Sequence, residues 1–324
     1  MSTGDHWRPG ISLPLLRQRA TLLQRTRDFF AARAVLEVDT PMAVHRTVSD
    51  PHVHSLALAP VAGDRGNRFL HTSPEYAMKR LLAAGSGDIY QICHVFRGDE
   101  QGPLHNSEFT LIEWYRIGFS MRQLIDEVAA LSLDLLGKAS QPIELLSYQQ
   151  AFMRVLGCDP LTASDTGLAE CARAQGLDAA LVERCSRDEL LDLLMGAHVG
   201  PTLGRSGLCF VHGYPASQAS LAKLDPADPR IALRFELYAN GIELANGFEE
   251  LGDAAEQRAR FAADREQRRS HGLPMHDADE CLLQALEQGL PPCSGVAMGF
   301  DRLMMLAVGA RSLEQVLTFT ADRA

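Results

Sequence analysis

Long apolar runs are missing from this sequence. No window approaches the roughly 18 unbroken apolar residues that cross a bilayer, and the opening MSTGDHWRPG has no apolar core of a secretory signal. A soluble, cytoplasmic chain is expected. Cysteine pairing is missing too. The seven cysteines (Cys93, Cys158, Cys171, Cys185, Cys209, Cys281, Cys293) are odd in number, scattered and never spaced Cys-x-x-Cys. They read as buried thiols in a reducing compartment, not as a disulfide frame or a zinc site. Positive charge is in deficit, with 31 Lys and Arg against 41 Asp and Glu for a net charge of -10. A chain that wraps nucleic acid through many phosphate contacts is therefore disfavoured, while a local basic patch stays open. No Walker A loop, G-x-S-x-G elbow or G-x-G-x-x-G occurs; Gly85-Ser86-Gly87 lacks both the third glycine and a strand before it. There is no internal repeat and no low-complexity tract.

What is present is ordinary globular text with one unusual stretch. Of 324 residues, 46% are hydrophobic and 22% charged, enough for one large domain or two modest ones. Residues 90–97 and 108–116 are rich in aromatic and branched side chains and flank a polar loop holding Gly98, Gly102 and Pro103. They predict an antiparallel hairpin. Alternation puts Gln91, Cys93, Val95 and Arg97 on one face of the first strand, and Phe109, Leu111, Glu113 and Tyr115 on one face of the second. Such a mixture makes a poor core face, because a buried charge needs a partner or a ligand. Either these groups pair with one another or they floor a polar pocket.

Upstream, Leu15, Leu16, Leu22, Leu23, Phe29 and Phe30 predict a helix from near Ser12 to about Ala34. It passes into a strand over 35–41 that Pro41 ends. This suits a dimer interface, or equally a surface helix on its own sheet. His52 and His54 admit a metal reading, but no third ligand is near and a solvated or hydrogen-bonded pair is the plainer account. Residues 69–75 read as a strand turning through Ser73-Pro74 into a helix over 75–84. Glu75 at its start is either a favoured cap or an anion aimed at a cationic group, with Lys79 and Arg80 expected in solvent.

Residues 121–137 form an amphipathic pattern. From about 147 to 207, Ala-, Asp- and Arg-rich helices read as an insertion on the main domain and not as an independent fold. A strand over 208–215 precedes a second hairpin over 230–250, turned at Asn240-Gly241. Its returning strand carries Glu243 and Glu250, by itself a weak pattern for a hard cation. Residues 254–271 predict a charged helix with a solvated outer face. Near the end, Gly295 and Gly299 punctuate a short strand and Asp301-Arg302 opens an apolar helix. Small residues there let a ligand approach the backbone, and Arg302 is either a cation over that gap or a plain surface arginine.

Three stretches in fixed order resemble the motifs of the class II aminoacyl-tRNA synthetases. They are the helix and strand ending at Pro41, the Phe96-Arg97-x-Asp99 … Phe109 hairpin, and residues 295–299 with Arg302. The text TSPEYAMKRLL, HNSEFTLIEWY, GIELANGFEEL and GVAMGFDRLMML is lysyl-like, and the likeness covers nearly the whole chain from Leu15. Within the family it is similar to the truncated lysyl-tRNA synthetase paralogues, ligases that join (R)-β-lysine to elongation factor P.

The resemblance implies an α+β fold, a mostly antiparallel sheet flanked by helices, as one catalytic domain over 1–324 with the helical insertion at about 147–207. It implies ATP and Mg²⁺. Arg97 would hold the α-phosphate, Phe109 would stack on adenine, Asp99 would meet its amino group, and His105 and Asn106 would lie near the phosphates. Arg302 would clamp the triphosphate from the opposite side, with Gly299 and Leu244 lining the nucleotide. Glu243 and Glu250 would bind Mg²⁺. Ser73, Pro74, Glu75, Glu113, Tyr115, Glu250 and Ala297 would form the pocket for a lysine-like substrate, whose two positive charges an acidic site attracts.

Three departures stand out. Asp99 replaces the usual Glu. Pro103-Leu104 precedes His105 where lysyl enzymes carry an arginine. Ala297 replaces a glycine, and its methyl favours β-lysine over α-lysine. The expected activity is adenylate formation followed by transfer to a lysine of elongation factor P, by a homodimer. Alternatives are a lysyl-tRNA synthetase core acting on tRNA(Lys), and a non-catalytic synthetase-like regulatory protein. Lysyl-tRNA synthetases place an anticodon-binding barrel before this domain; with a first helix near residue 12 and an acidic chain, tRNA is not the expected acceptor.

Overall fold

A computed structural model describes residues 7–60, 66–138, 140–321 and 323–324. The chain forms two compact units, one of Met1–Phe119, Ala130–Lys138 and Gly252–Ala324, the other of Ser120–Ala129 and Ala139–Leu251. In the first, Ser12 caps helix α1 (Leu13–Ala31), its hydroxyl accepting the Leu15 N–H, with Pro14 in the opening turn where no N–H is needed. The helix ends three residues before Ala34, which adopts φ 55°. After that left-handed turn, strand β1 pairs only over Leu36–Glu37, shorter than the expected 35–41. Strands β2 (Ala43–Val44) and β3 (Phe69–Leu70) make a small ribbon. Helix α2 (Glu75–Ala83) follows, then the expected hairpin of β4 (Ile89–Phe96) and β5 (Glu108–Ile117). Phe30 of α1 stacks on Tyr90 at 4.3 Å and meets Trp114 edge-on at 5.3 Å. Each such buried ring contributes about 1.5–3 kcal/mol, which seats α1 on the sheet.

Helix α3 (Met121–Leu136) leads to the middle of the chain. The second unit holds β6 (Ile143–Ser147), helices α4 (Tyr148–Leu156), α5 (Asp165–Ala174), α6 (Ala179–Val182) and α7 (Arg187–Leu194), and strands β7 (Leu208–Pro215), β8 (Ile231–Ala239) and β9 (Ile242–Glu249). Its strands lie in the order β6-β7-β8-β9, with β6 parallel to β7 and the rest antiparallel. Ser147 and Gln150 form a capping box at α4, and Gly157 ends that helix at φ 65°. Tyr148, Phe152, Leu190 and Leu194 share one core with Val211, Tyr214 and Tyr238, so the inserted helices pack on these strands. Asn240 and Gly241, at φ 53° and 76°, make the two-residue turn between β8 and β9. A Cβ on Gly241 would lie 2.7 Å from the Pro201 carbonyl oxygen, so glycine is required there twice over.

The first unit closes with α8 (Ala254–Ser270), α9 (Glu280–Gly289), β10 (Cys293–Gly299) and α10 (Phe300–Ala307). Its sheet runs β1-β4-β5-β10, parallel only between β1 and β4. Helix α8 departs from a simple solvated face. Arg268 is buried and donates to the carbonyls of Asp50 (2.6 Å) and Pro274 (2.9 Å), while the Ser49 hydroxyl donates to Asp264 at 2.5 Å. These bonds pin the loop before β3 to the helix. Among the described residues, no helix is long and apolar enough to cross a membrane.

Candidate active site

The register of β4, β5 and β10 assembles rows of side chains on one face. Ile89, Tyr115 and Gly295 lie abreast, then Gln91, Glu113 and Ala297, then Cys93, Leu111 and Gly299, with Val95 opposite Phe109. Abreast residues in antiparallel strands have Cβ atoms about 4.5–5.5 Å apart. Glu113 is therefore directly beside the Ala297 methyl. Its carboxylate is buried but not set in hydrocarbon. Ser73 donates to Oε2 and the Tyr115 hydroxyl to Oε1, each at 2.7 Å. The Tyr115 ring packs among Met78, Leu82, Ile89 and Cys293, holding its hydroxyl in place. Nearby, burial and the Glu113 charge push the Cys93 thiol up to about 12, so it stays protonated.

The same Ser73 hydroxyl accepts the Glu75 N–H at 3.0 Å, linking the start of α2 to Glu113. Pro74 is the N-cap residue. One correction falls here. Lys79, expected in solvent, is 1% exposed, and its ammonium donates to Glu75 Oε1 at 2.7 Å. The spacing i, i+4 sets the two side chains one above the other on the buried side of α2. Glu75 is thus more than a cap. It is an anion with an internal cation on one oxygen.

The β4–β5 loop carries the next group. The Arg97 guanidinium lies 5.2 Å from the Phe109 ring centroid, and its Nη1 is 3.6 Å from Glu100. Arg302, on the first turn of α10, is no plain surface arginine. Its Nη2 is 2.7 Å from His105 Nε2, and its Nε donates to the Leu104 carbonyl at 3.1 Å. Burial first, then the charges of Arg302 and Arg97, hold His105 below its ordinary range, so near neutral pH the ring accepts from Arg302. Both arginines act on one imidazole, which places them about one loop. Asn106 donates to the Glu108 carbonyl at 2.6 Å and accepts the Ala321 N–H at 3.2 Å, so its amide braces the hairpin. Asp99, at φ 62°, turns its exposed carboxylate to His54 Nδ1 at 2.7 Å. His54 is therefore an anchor for this loop. Among the described residues, no cluster of three or more potential ligands for a metal forms.

In the second unit, Glu243 and Glu250 are seven apart, an odd spacing that would set them on opposite faces of a regular strand. A register shift changes this. Tyr238 pairs with Glu243 and Leu237 with Ala245, so Leu244 is an extra, unpaired residue. Beyond the bulge the alternation is reversed, and Glu243, Asn246, Phe248 and Glu250 share a face. Opposite them stand Tyr238, Glu236 and Arg234. Glu236 takes Arg234 Nη2 and the Tyr238 hydroxyl, each at 2.6 Å, while the guanidinium lies 4.3 Å from the Tyr214 ring centroid. Sequence reasoning passed over this group, although the spacing Arg234-x-Glu236-x-Tyr238 announces one face. A pair of carboxylates on one face fits Mg²⁺, which takes one or two protein carboxylates and completes its shell with water and phosphate.

Chemically, the first unit offers a hydroxyl-held carboxylate, two arginines at one loop and an aromatic platform; the second offers clustered carboxylates. A family model described as tRNA synthetases class II (D, K and N) matches residues 11–323. A relative from Salmonella typhi named "Elongation factor P--(R)-beta-lysine ligase" is 49% identical over 327 residues, covering 100% of both chains. Relatives of that name from Salmonella paratyphi B and Salmonella dublin are likewise 49% identical over 100% of each chain.

Proposed function

The chain belongs to the class II tRNA synthetases of the D, K and N group, and from that premise we propose that it is an ATP-dependent ligase. It activates (R)-β-lysine as an adenylate and transfers it to a lysine side chain of elongation factor P. The observation that carries this reading is the row in which Glu113, held by Ser73 and Tyr115, faces the Ala297 methyl. A carboxylate kept by hydroxyl donors receives an ammonium, and the added methyl next to it suits an amine displaced by one carbon. Against α-lysine that methyl is worth roughly 1–3 kcal/mol.

In this reading Phe109 stacks on adenine, with Asp99 at its amino group. Arg97 meets the α-phosphate, and Arg302 clamps the triphosphate, with His105, Asn106, Leu244 and Gly299 lining the nucleotide. Ser73, Pro74, Glu75, Glu113, Tyr115, Glu250 and Ala297 form the amino-acid pocket. Glu243 and Glu250 would hold Mg²⁺, which supplies charge neutralisation at the pyrophosphate leaving group. The substrate carboxylate attacks the α-phosphorus, the bond to the β-phosphate breaks and pyrophosphate leaves. The acceptor ε-amine then attacks the adenylate carbonyl, an amide forms, AMP departs and the amine proton goes to solvent. Arg97 and Arg302 stabilise charge that develops on the phosphoryl oxygens, so placement and electrostatics carry the catalysis.

The chain is further proposed to act as a homodimer, for which the exposed Leu13 and Leu36 on and after α1 give support. Free thiols support a reducing cytoplasmic setting. Incubation with ATP, (R)-β-lysine and elongation factor P adds one β-lysyl mass to the acceptor protein by mass spectrometry. An unchanged acceptor mass ends this reading, and comparable charging of tRNA(Lys) with α-lysine would move the assignment to a synthetase core.

A further inference from the structure

We propose that Arg19 is a positioning residue for the nucleotide site, acting through Thr110 and Asp301 on their chain neighbours, Phe109 and Arg302; the inference rests on the nucleotide roles proposed above. Arg19 lies on α1, behind the sheet, where it faces away from the row containing Phe109, Leu111 and Glu113. Its Nη1 is 2.5 Å from Asp301 Oδ1, and its Nη2 donates to the Thr110 hydroxyl at 2.7 Å. The other Asp301 oxygen accepts the backbone N–H of Thr110 at 2.6 Å. The guanidinium also lies 4.9 Å from the Phe300 ring centroid. Asp301 and Thr110 are buried, and the Arg19 side chain is 14% exposed.

Each partner is the chain neighbour of a proposed nucleotide contact. Thr110 follows Phe109, the adenine platform. Asp301 precedes Arg302, the triphosphate clamp. One carboxylate thus ties the β5 backbone to the first turn of α10, and one guanidinium holds that carboxylate and the threonine together. The planar fork of arginine serves two acceptors in fixed directions; a lysine ammonium, a compact charge on a flexible stem, does not. With the tie loosened, Phe109 and Arg302 no longer keep a fixed separation, and ATP meets them one at a time. Glu113 of the amino-acid pocket, held by Ser73 and Tyr115, lies on the opposite face of β5 from Thr110.

The test is Arg19→Lys beside Arg19→Met, with ATP affinity by calorimetry and amino-acid-dependent ATP–pyrophosphate exchange on the full chain. Arg19→Lys raises the Kd and KM for ATP roughly tenfold while leaving KM for β-lysine within about twofold, and its circular dichroism matches wild type. Should Arg19→Met fail to fold, Arg19→Lys, which keeps the buried charge, carries the measurement. Unchanged ATP affinity with a lowered melting temperature makes Arg19 a structural staple and overturns the proposal; so does an equal rise in both KM values. If the wild-type chain binds ATP but shows no exchange, the ligase reading fails while the effect on ATP Kd still decides the role of Arg19. If it binds no ATP, both fall.

Discussion

The two hairpins carry the same three-residue device with different outcomes. In β5, the Tyr115 hydroxyl donates to Glu113, two residues earlier on the same face; in β8, Tyr238 does the same for Glu236. The further partners differ. Glu113 takes a second hydroxyl, from Ser73, whereas Glu236 takes the guanidinium of Arg234. Hydroxyl donors fix a carboxylate's direction and bring no charge of their own. A guanidinium meets the charge within the fold. A strand pattern of Glu-x-Tyr is therefore neither a binding site nor a core element by itself; the groups that meet the carboxylate besides the tyrosine decide which it becomes.

Mutation can break this contrast, and the largest effect is expected in the second unit. Arg234→Met leaves Glu236 buried without its cation and costs about 3–5 kcal/mol of unfolding free energy, read as a lower denaturant midpoint. Adding Glu236→Gln recovers much of the loss, and a wild-type midpoint in the single variant would show that the pair is not needed. In the first unit the damage falls on chemistry. Glu113→Gln lowers amino-acid-dependent pyrophosphate exchange by about a hundredfold or more, with little change in the melting temperature. A variant that melts early and still exchanges would reverse the roles assigned to the two hairpins.

Smaller changes sharpen the comparison. Tyr115→Phe and Tyr238→Phe each remove one hydrogen bond worth about 1 kcal/mol. The first is expected in KM for the amino acid, the second in the denaturant midpoint. Acidification is the mildest perturbation. His71, His105 and His276 of the first unit and His212 of the second are all held below 6.5, in each case chiefly by burial. A lowered folded value means that the unfolded chain takes up the proton first. Stability therefore rises with pH through this window and is lost as pH falls below about 6.5. With three such histidines against one among the described residues, the first unit opens more on acidification, as amide exchange in β4 and β5 against β8 and β9 at neutral and mildly acidic pH would record.

Much of this was legible in the sequence. Alternation alone put Glu113, Tyr115 and Phe109 on one face, because side chains in a strand have no other choice, and Asn240-Gly241 fixed the second turn because only such residues accept two positive φ angles in succession. Other features were hidden for physical reasons. Lysine is taken as a solvent residue, so the burial of Lys79 against Glu75 was missed, although its spacing by four was visible. His54 meets Asp99 only through tertiary structure, 45 positions away. The left-handed turn at Ala34, before the two-residue strand β1, is something an alanine does not announce.

The surplus residue at Leu244 has a consequence for how this strand can change over time. Substitutions along 242–249 swap one group for another and leave every neighbour looking the same way. Losing a single position would exchange front for back, sending either Glu243 or Glu250 to the wrong side of the sheet at a stroke. Length is thus the stricter inheritance here: lineages can rewrite the letters of this segment more readily than they can shorten the word.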